Sequence, residues 1–346
     1  MGRIALDGIV LGLQPVGGIT TYFWELASRL ARDYGAGATL GLPRTTVSML
    51  TPQFTALSLK KASDPRPVKF ARYLGSPAWG DIVHSSYYRA CRDRRSRSIV
   101  TVYDFVYERY REGLAARVHA WQKRKACRQA SAIACISANT RDDLLALYPE
   151  IDPGRVFVTP LAVDHSRFHT SVDTDGALAD TVIFIGQRGG YKRFDLAVAA
   201  VARTAYRLAI VGPPLTADET GLLTASLPGR WRMLGRVEDE GLRAIYSSAY
   251  ALIYPSDYEG FGLPVLEAQA CGCPVVTSRR SSLPEVGGDA AIYAAEQRPE
   301  AYCAALEQMA GLNERKTIVE RGLANAALFQ WERTYEMTRQ IYESAA

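Results

Sequence analysis

The stretch "ALIYPSDYEGFGLPVLEAQACGCPVV", residues 251–276, decides how this chain of 346 residues reads. "ALIY" is an apolar run of strand length, Pro255 ends it, and "SDYEGFG" is a loop of turn formers. Proline suits the first turn of a helix, where its missing N–H costs nothing, so Pro264 predicts a helix starting near Leu263. Cys271-Gly272 supplies the stop, and "CPVVTS" begins a second buried run. Strand, helix and strand in this order make a βαβ unit, the building block of a parallel sheet.

The same alternation runs along the whole chain. "TVIFIGQ", "RLAIVG" and "WRMLGRV" precede the opening stretch, and "RIALDGIVLGL", "GATLGLP", "DIVHSS", "SIVTVYDF", "SAIACIS" and "RVFVTPLAV" occupy the first half, most of them followed by helical patterns. Residues 164–180, "DHSRFHTSVDTDGALAD", are polar and have no period, and they read as a linker. The length is too great for one ordinary core and suits two. The expected fold class is therefore α/β, with two Rossmann-like doubly wound domains facing a cleft. Their bounds are 1–165 and 166–330, with a last helix from Trp331 to residue 346 returning to the first domain. Residues 45–77, broken by proline and polar side chains, read as an irregular insertion.

With 48% hydrophobic and 22% charged residues the chain has ample material for a core, which excludes a disordered protein. No apolar run reaches the roughly 18 residues a spanning helix needs, and "MGRIALDGIVLGL" lacks the architecture of a signal peptide. A cytoplasmic protein is expected. The six cysteines are scattered, and Cys271 and Cys273 form a CxC rather than paired CxxC sets, so they read as buried thiols. The net charge of +5 is uneven, since residues 1–165 hold 23 Lys and Arg against 14 Asp and Glu, a balance of +9. The positive charge concentrates in "RACRDRRSRS" (89–98) and "RYREGLAARVHAWQKRKACRQA" (109–130). Such a half suits an anionic bilayer or an acidic substrate, and reads equally well as an ordinary solvated surface. Nucleic acid is not expected, because the basic stretches carry no recognisable binding module.

The chemistry gathers at the mouth of the helix in the opening stretch. Its unpaired N–H groups and positive dipole end suit a diphosphate, and Gly260 and Gly262, flanking Phe261 and followed by Leu263, leave the backbone bare. Glu267 lies about four residues into the helix, roughly 6 Å along its axis, and Glu259 stands in the loop before it. A carboxylate accepts hydrogen bonds from hydroxyls, each contributing about 1.5–3 kcal/mol, so one would hold a ribose and the other a sugar. Read singly, Glu259 is a loop charge and Glu267 a helix surface charge; around one glycine-bare helix start they suit a nucleotide sugar. "FIGQRGGYKRFD" sets Arg188 and Lys192 four apart after a strand, two cations suited to a diphosphate leaving group. Gly17 and Gly18, before the helical "ITTYFWELASRL", would let backbone N–H groups approach phosphates from the first domain. Neither glycine cluster is a GxGxxG, so the dinucleotide fingerprint is missing. His84 stands just past the strand that "DIV" begins and reads equally well as a structural histidine and as an acceptor or sugar contact; Tyr103 and Asp104 follow the next strand, and Asp104 is the acceptor-side candidate.

Residues 254–276 resemble the E-x7-E signature of the retaining GT-B glycosyltransferases, the glycogen-synthase-like group called family 4. The likeness continues through "CGCPVVTSRRSSLPEVGGDAAIY" and covers the second half of the chain, while the first half matches more loosely. It implies the GT-B fold and retaining transfer of a hexose from a nucleotide-sugar donor, with no cofactor or metal required. The acceptor, a saccharide or lipid-linked saccharide, attacks from the face the leaving group departs, and a donor phosphate oxygen takes the proton. It also implies that Arg188 and Lys192 neutralise the diphosphate. Family members often carry a histidine where Tyr103 stands, with its ring and backbone carbonyl near the sugar; Tyr103 is a departure that keeps only the carbonyl. "HSSYYR" and "TVYDFVYERY" are similar to bacterial mannosyl- and rhamnosyltransferases of surface-polysaccharide pathways, which favours GDP-mannose and leaves UDP- and dTDP-sugars open as donors. Lipid-linked acceptors and the basic first half together imply peripheral contact with the anionic inner face of a membrane. Asp173 and Asp175 match the spacing of the metal motif in the other large glycosyltransferase fold, but they lie in the linker and read as accidental. A nucleotide-sugar epimerase of the same architecture, and a nucleotide-sugar binding protein without activity, remain as alternative readings.

Overall fold

The computed structural model describes residues 2–14, 17–43, 54, 56–171 and 178–345, and Asp173 and Asp175 lie outside them. The chain divides into two compact units, Met1–Leu161 with Trp331–Ala346, and Ala162–Gln330.

In the first unit seven strands make one sheet: β1 (Ile4–Asp7), β2 (Thr39–Pro43), β3 (Lys60–Asp64), β4 (Ile82–Ser85), β5 (Arg97–Val102), β6 (Ala132–Cys135) and β7 (Val156–Val158). Their order is β3-β2-β1-β4-β5-β6-β7, and every pairing is parallel. In the second unit β8 (Thr181–Ile185), β9 (Arg207–Val211), β10 (Trp231–Gly235), β11 (Ala251–Tyr254), β12 (Val275–Thr277) and β13 (Ile292–Tyr293) pair in the parallel order β10-β9-β8-β11-β12-β13. A parallel sheet has helices on both faces, so its central strands must be apolar throughout rather than alternating. "IALD", "AIAC", "TVIFI" and "ALIY" are buried along their whole length. Counted within each unit, the first six strands of both sheets follow the doubly wound order 3-2-1-4-5-6. Both units are thus Rossmann-like domains. In such sheets ligands sit beyond the carboxyl ends of the strands where the order reverses, here beside β1 and β4 and beside β8 and β11.

Two local expectations need correction, and one strand escaped the reading. Residues 45–77 contain β3, whose "KKASD" is exposed over most of its length. It is an edge strand paired on one side only, so nothing imposes an apolar pattern on it. The two-residue β13 closes the opposite sheet and is too short to show a period. Cys127, Cys135, Cys271 and Cys273 are buried, with the thiols of Cys127, Cys271 and Cys273 pushed up to about 12 chiefly by burial, but Cys91 and Cys303 are only partly covered.

The last helix, Trp331–Ala345, packs in the first unit and buries Trp331, Tyr335, Ile341 and Tyr342. Thr334 Oγ1 donates to the Pro160 carbonyl at 2.7 Å and the Tyr335 hydroxyl to Asp33 Oδ2 at 2.7 Å. Among the described residues no helix is long and apolar enough to cross a membrane.

Candidate functional site

The site in the second unit grows from the carboxyl ends of β8 and β11, the two strands at which the sheet order reverses. After β8 the chain makes a short 3-10 turn, Gly190–Lys192, and Arg193 then takes φ +50 before the helix Phe194–Ala202. After β11 it runs through Asp257 and Glu259 to the helix Leu263–Ala270, which has Pro264 in its first turn. The Asp257 N–H donates to the Tyr191 carbonyl at 2.7 Å, tying the two loops together.

This places Lys192 against Glu259. Lys192 Nζ lies 2.5 Å from Glu259 Oε1 and 2.7 Å from Oε2, and donates to the Tyr254 hydroxyl at 3.0 Å. The two charged side chains are 14% and 10% exposed, so their attraction is little screened by water. Tyr254 is buried at the end of β11, and burial together with the Glu259 carboxylate pushes its hydroxyl well up from the ordinary value. The Glu259 backbone is clamped by the loop after β12. Its N–H donates to Ser281 Oγ at 2.8 Å, and its carbonyl accepts from Ser281 Oγ at 2.7 Å and Ser282 Oγ at 3.0 Å. Ser282 Oγ also donates to the Phe261 carbonyl at 2.7 Å.

The helix mouth is built on Gly262, whose φ of +113 disfavours any other residue; a Cβ there would come within 3.1 Å of Leu283 Cδ2. Phe261 turns its ring inward and packs edge-on against Phe329 at 6.0 Å between centroids, so between Gly260 and Leu263 it offers a ligand backbone only. Glu267, one turn into the helix, accepts from the buried Tyr246 hydroxyl at 3.1 Å. Burial raises the Glu267 carboxyl to about 7, opposed by the Tyr246 bond and assisted by the charge of Asp239.

Arg188 finds partners other than Glu259. Its Nη2 donates to the Pro213 and Pro214 carbonyls at 2.9 and 2.7 Å, and its Nε lies 2.9 Å from Glu219 Oε1. Nη1 is buried with no hydrogen-bond partner among the described residues.

In the first unit the candidate residues are more spread. Gly17 has φ +147 and precedes the helix Gly18–Tyr34; a Cβ on Gly17 would overlap the Gln14 side chain. His84 lies inside β4 rather than past it. It is wholly buried, with Nδ1 2.6 Å from the Tyr342 hydroxyl and Nε2 2.7 Å from Thr101 Oγ1, and burial holds its pKa down to about 3. It is the structural histidine of the two readings. Tyr103 is also buried, its hydroxyl donating to the Ser86 carbonyl at 3.4 Å. Asp104 is partly exposed: Oδ1 accepts the Val106 N–H at 3.0 Å, and its carbonyl accepts Nζ of the buried Lys123 at 2.6 Å.

Tyr246, Tyr254, Ser281 and Ser282 were not singled out from the sequence. The signal that would have found the serines is their position just past "CPVVTS", at the carboxyl end of the strand beside β11. Among the described residues no group of three or more His, Cys, Asp or Glu side chains is placed to hold a metal ion.

Two family models match the chain in tandem, "Glycosyltransferase Family 4" over residues 16–167 and "Glycosyl transferases group 1" over residues 179–311. The chain is 45% identical to O-antigen chain mannosyltransferase B of Escherichia coli over a match covering 32% of this chain and 30% of that one, under a third of the relative's length. It is 26% identical to D-inositol 3-phosphate glycosyltransferase of Acidothermus cellulolyticus, covering 91% of this chain and 76% of that one. The crystal structure of Anabaena HepE in complex with UDP and glucose superposes with a TM-score of 0.75 at 15% identity, over 99% of this chain and 100% of that one.

Proposed function

The chain belongs to the group 1, family 4 glycosyltransferases of the GT-B fold, and from that membership we propose that it moves mannose, with retention, from GDP-mannose to a hydroxyl of a saccharide or lipid-linked saccharide acceptor. The observation that carries the reading is the Lys192–Glu259 pair beside a glycine-bare helix start with Glu267 one turn further on. Mannose and a surface-polysaccharide acceptor are favoured by the name of the Escherichia coli relative.

In this reading the N–H groups of Gly260 to Leu263 receive the diphosphate, Glu267 accepts from the ribose and Glu259 from the hexose. The bond between the anomeric carbon and the diphosphate oxygen breaks with its electron pair on the phosphate side. Lys192 and the unpartnered Nη1 of Arg188 neutralise the charge that gathers there. The acceptor oxygen bonds the anomeric carbon on the same face and its proton passes to the departing phosphate, so no protein nucleophile is needed. Of the first unit's candidates, Gly17 and Gly18 would offer backbone N–H groups to phosphates, Tyr103 its backbone carbonyl to the sugar, and Asp104 its carboxylate to the acceptor.

Thermal shifts with GDP, UDP, dTDP and ADP test the donor, since a ligand that binds the native state raises its apparent stability. GDP is expected to give the largest shift. Lys192→Ala should lower kcat by about 10²–10³. Glu267→Ala should instead raise the donor KM by about 10–100-fold, the loss of a charged hydrogen bond. No shift with any nucleotide, and ordinary kinetics in both variants, would remove the reading. Incubation with donor alone separates transfer from epimerisation, which would change the sugar without an acceptor.

The first unit supports a peripheral role at the cytoplasmic face of a membrane. Leu114, Trp121, Lys125 and Arg128 recur at helical spacing along Leu114–Gln129 and are exposed, with Lys125 Nζ 4.9 Å from the Trp121 ring centre. Apolar side chains among cations suit an anionic interface. Flotation with phosphatidylglycerol vesicles at low salt, reduced by Trp121→Ala, is the expected result, and absence of binding at any salt counts against it.

A further inference from the structure

In the folded chain the cation assigned to the diphosphate and the carboxylate assigned to the hexose are paired with each other. We propose that the Lys192–Glu259 pair makes this site discriminate an intact nucleotide sugar from the bare nucleoside diphosphate that remains after transfer. The inference rests on the donor reading above and adds to it a means of selecting substrate over product.

Both Glu259 oxygens sit on Lys192 Nζ, and the Tyr254 hydroxyl is a third neighbour of the ammonium. Neither charge has an easy retreat to water, because both side chains are largely covered and the Glu259 N–H and carbonyl are fixed by Ser281 and Ser282. A phosphate that takes Lys192 therefore leaves a nearly buried carboxylate without its counter-charge, and an uncompensated buried charge is strongly unfavourable. An intact donor repairs the loss, since its diphosphate satisfies Lys192 while its sugar hydroxyls donate to Glu259. A bare nucleoside diphosphate satisfies Lys192 only. It competes against the protein's own carboxylate and brings nothing to replace it. When the hexose leaves with the acceptor, Glu259 regains Lys192, and the hold on the product weakens.

Titration calorimetry with GDP and with GDP-mannose tests this on the wild type, Glu259→Gln, Lys192→Met and the double variant. The wild type should bind GDP-mannose more tightly than GDP, a measurement that needs no altered protein. Glu259→Gln should tighten GDP by about fivefold or more and weaken GDP-mannose, the scale on which contacting charged side chains couple. In the Lys192→Met background that tightening should vanish, because there is no longer a cation to release. GDP affinity unchanged or weaker in Glu259→Gln overturns the proposal, and so does tightening of equal size without Lys192, which would be plain charge repulsion. Wild type binding GDP as tightly as GDP-mannose also overturns it while leaving the donor reading intact. No binding of GDP, UDP or their sugars to any of the four proteins removes the donor reading and this one with it.

Discussion

At Glu267 two demands on one carboxylate conflict: a hydroxyl is best accepted by the ionised form, yet burial lifts the group to about 7. The folded value lies above the ordinary 4.5, so between about 4.5 and 7 the native state binds the extra proton and stability falls as pH rises through that window. Glu267→Gln imitates the neutral form. The melting temperature of the wild type, measured relative to that variant, should drop from pH 5 to pH 7.5, and GDP affinity in the wild type should rise between pH 6 and pH 8 while the variant stays flat. Parallel curves for the two proteins would show that Glu267 does not titrate in this range. Both glutamates were legible because each lies within a few residues of the glycines and proline that define the helix mouth. Tyr254, Ser281 and Ser282 were not, since their meaning comes from contacts between neighbouring strands, with Ser281 meeting Glu259 across 22 positions of chain.

The element that matters most is the helix Leu263–Ala270, and its start depends on one glycine conformation. Gly262→Ala meets both a left-handed φ of +113 and the Leu283 side chain at 3.1 Å. The strain of a non-glycine residue in such a conformation is about 1–3 kcal/mol. We expect a lower melting temperature and, because the mouth must shift, weaker GDP binding; an unchanged Kd would show that the N–H groups there do not hold the nucleotide. This helix start could be read locally from Pro264, and the central strands from their unbroken apolar runs. The sheet edges could not. β3 is polar because its outer side has no neighbour, and β13 is two residues long, so burial imposes no pattern that a sequence would display.

Across the whole molecule the first unit is completed by residues from the far end of the chain. The buried Trp331, Tyr335, Ile341 and Tyr342 together contribute on the order of 10 kcal/mol, using about 1.5–3 for each large side chain. That is comparable with the entire stability of a domain, roughly 5–15 kcal/mol. A chain ending at Gln330 should therefore leave the first unit protease-sensitive, while the second, whose sheet and helices close within Ala162–Gln330, still melts cooperatively and still shifts with GDP. Equal protease resistance of full-length and shortened chains would refute this. The alternation of apolar runs and helical segments was enough to establish two parallel sheets, and the spacing of Gly260, Gly262 and Pro264 to locate a helix start between Glu259 and Glu267, because burial and backbone conformation are local demands. Which charges meet was decided only by the folded chain. Lys192 and Glu259 are 67 positions apart and pair because β8 and β11 lie side by side, whereas Arg188, four residues from Lys192, is drawn to Pro213, Pro214 and Glu219.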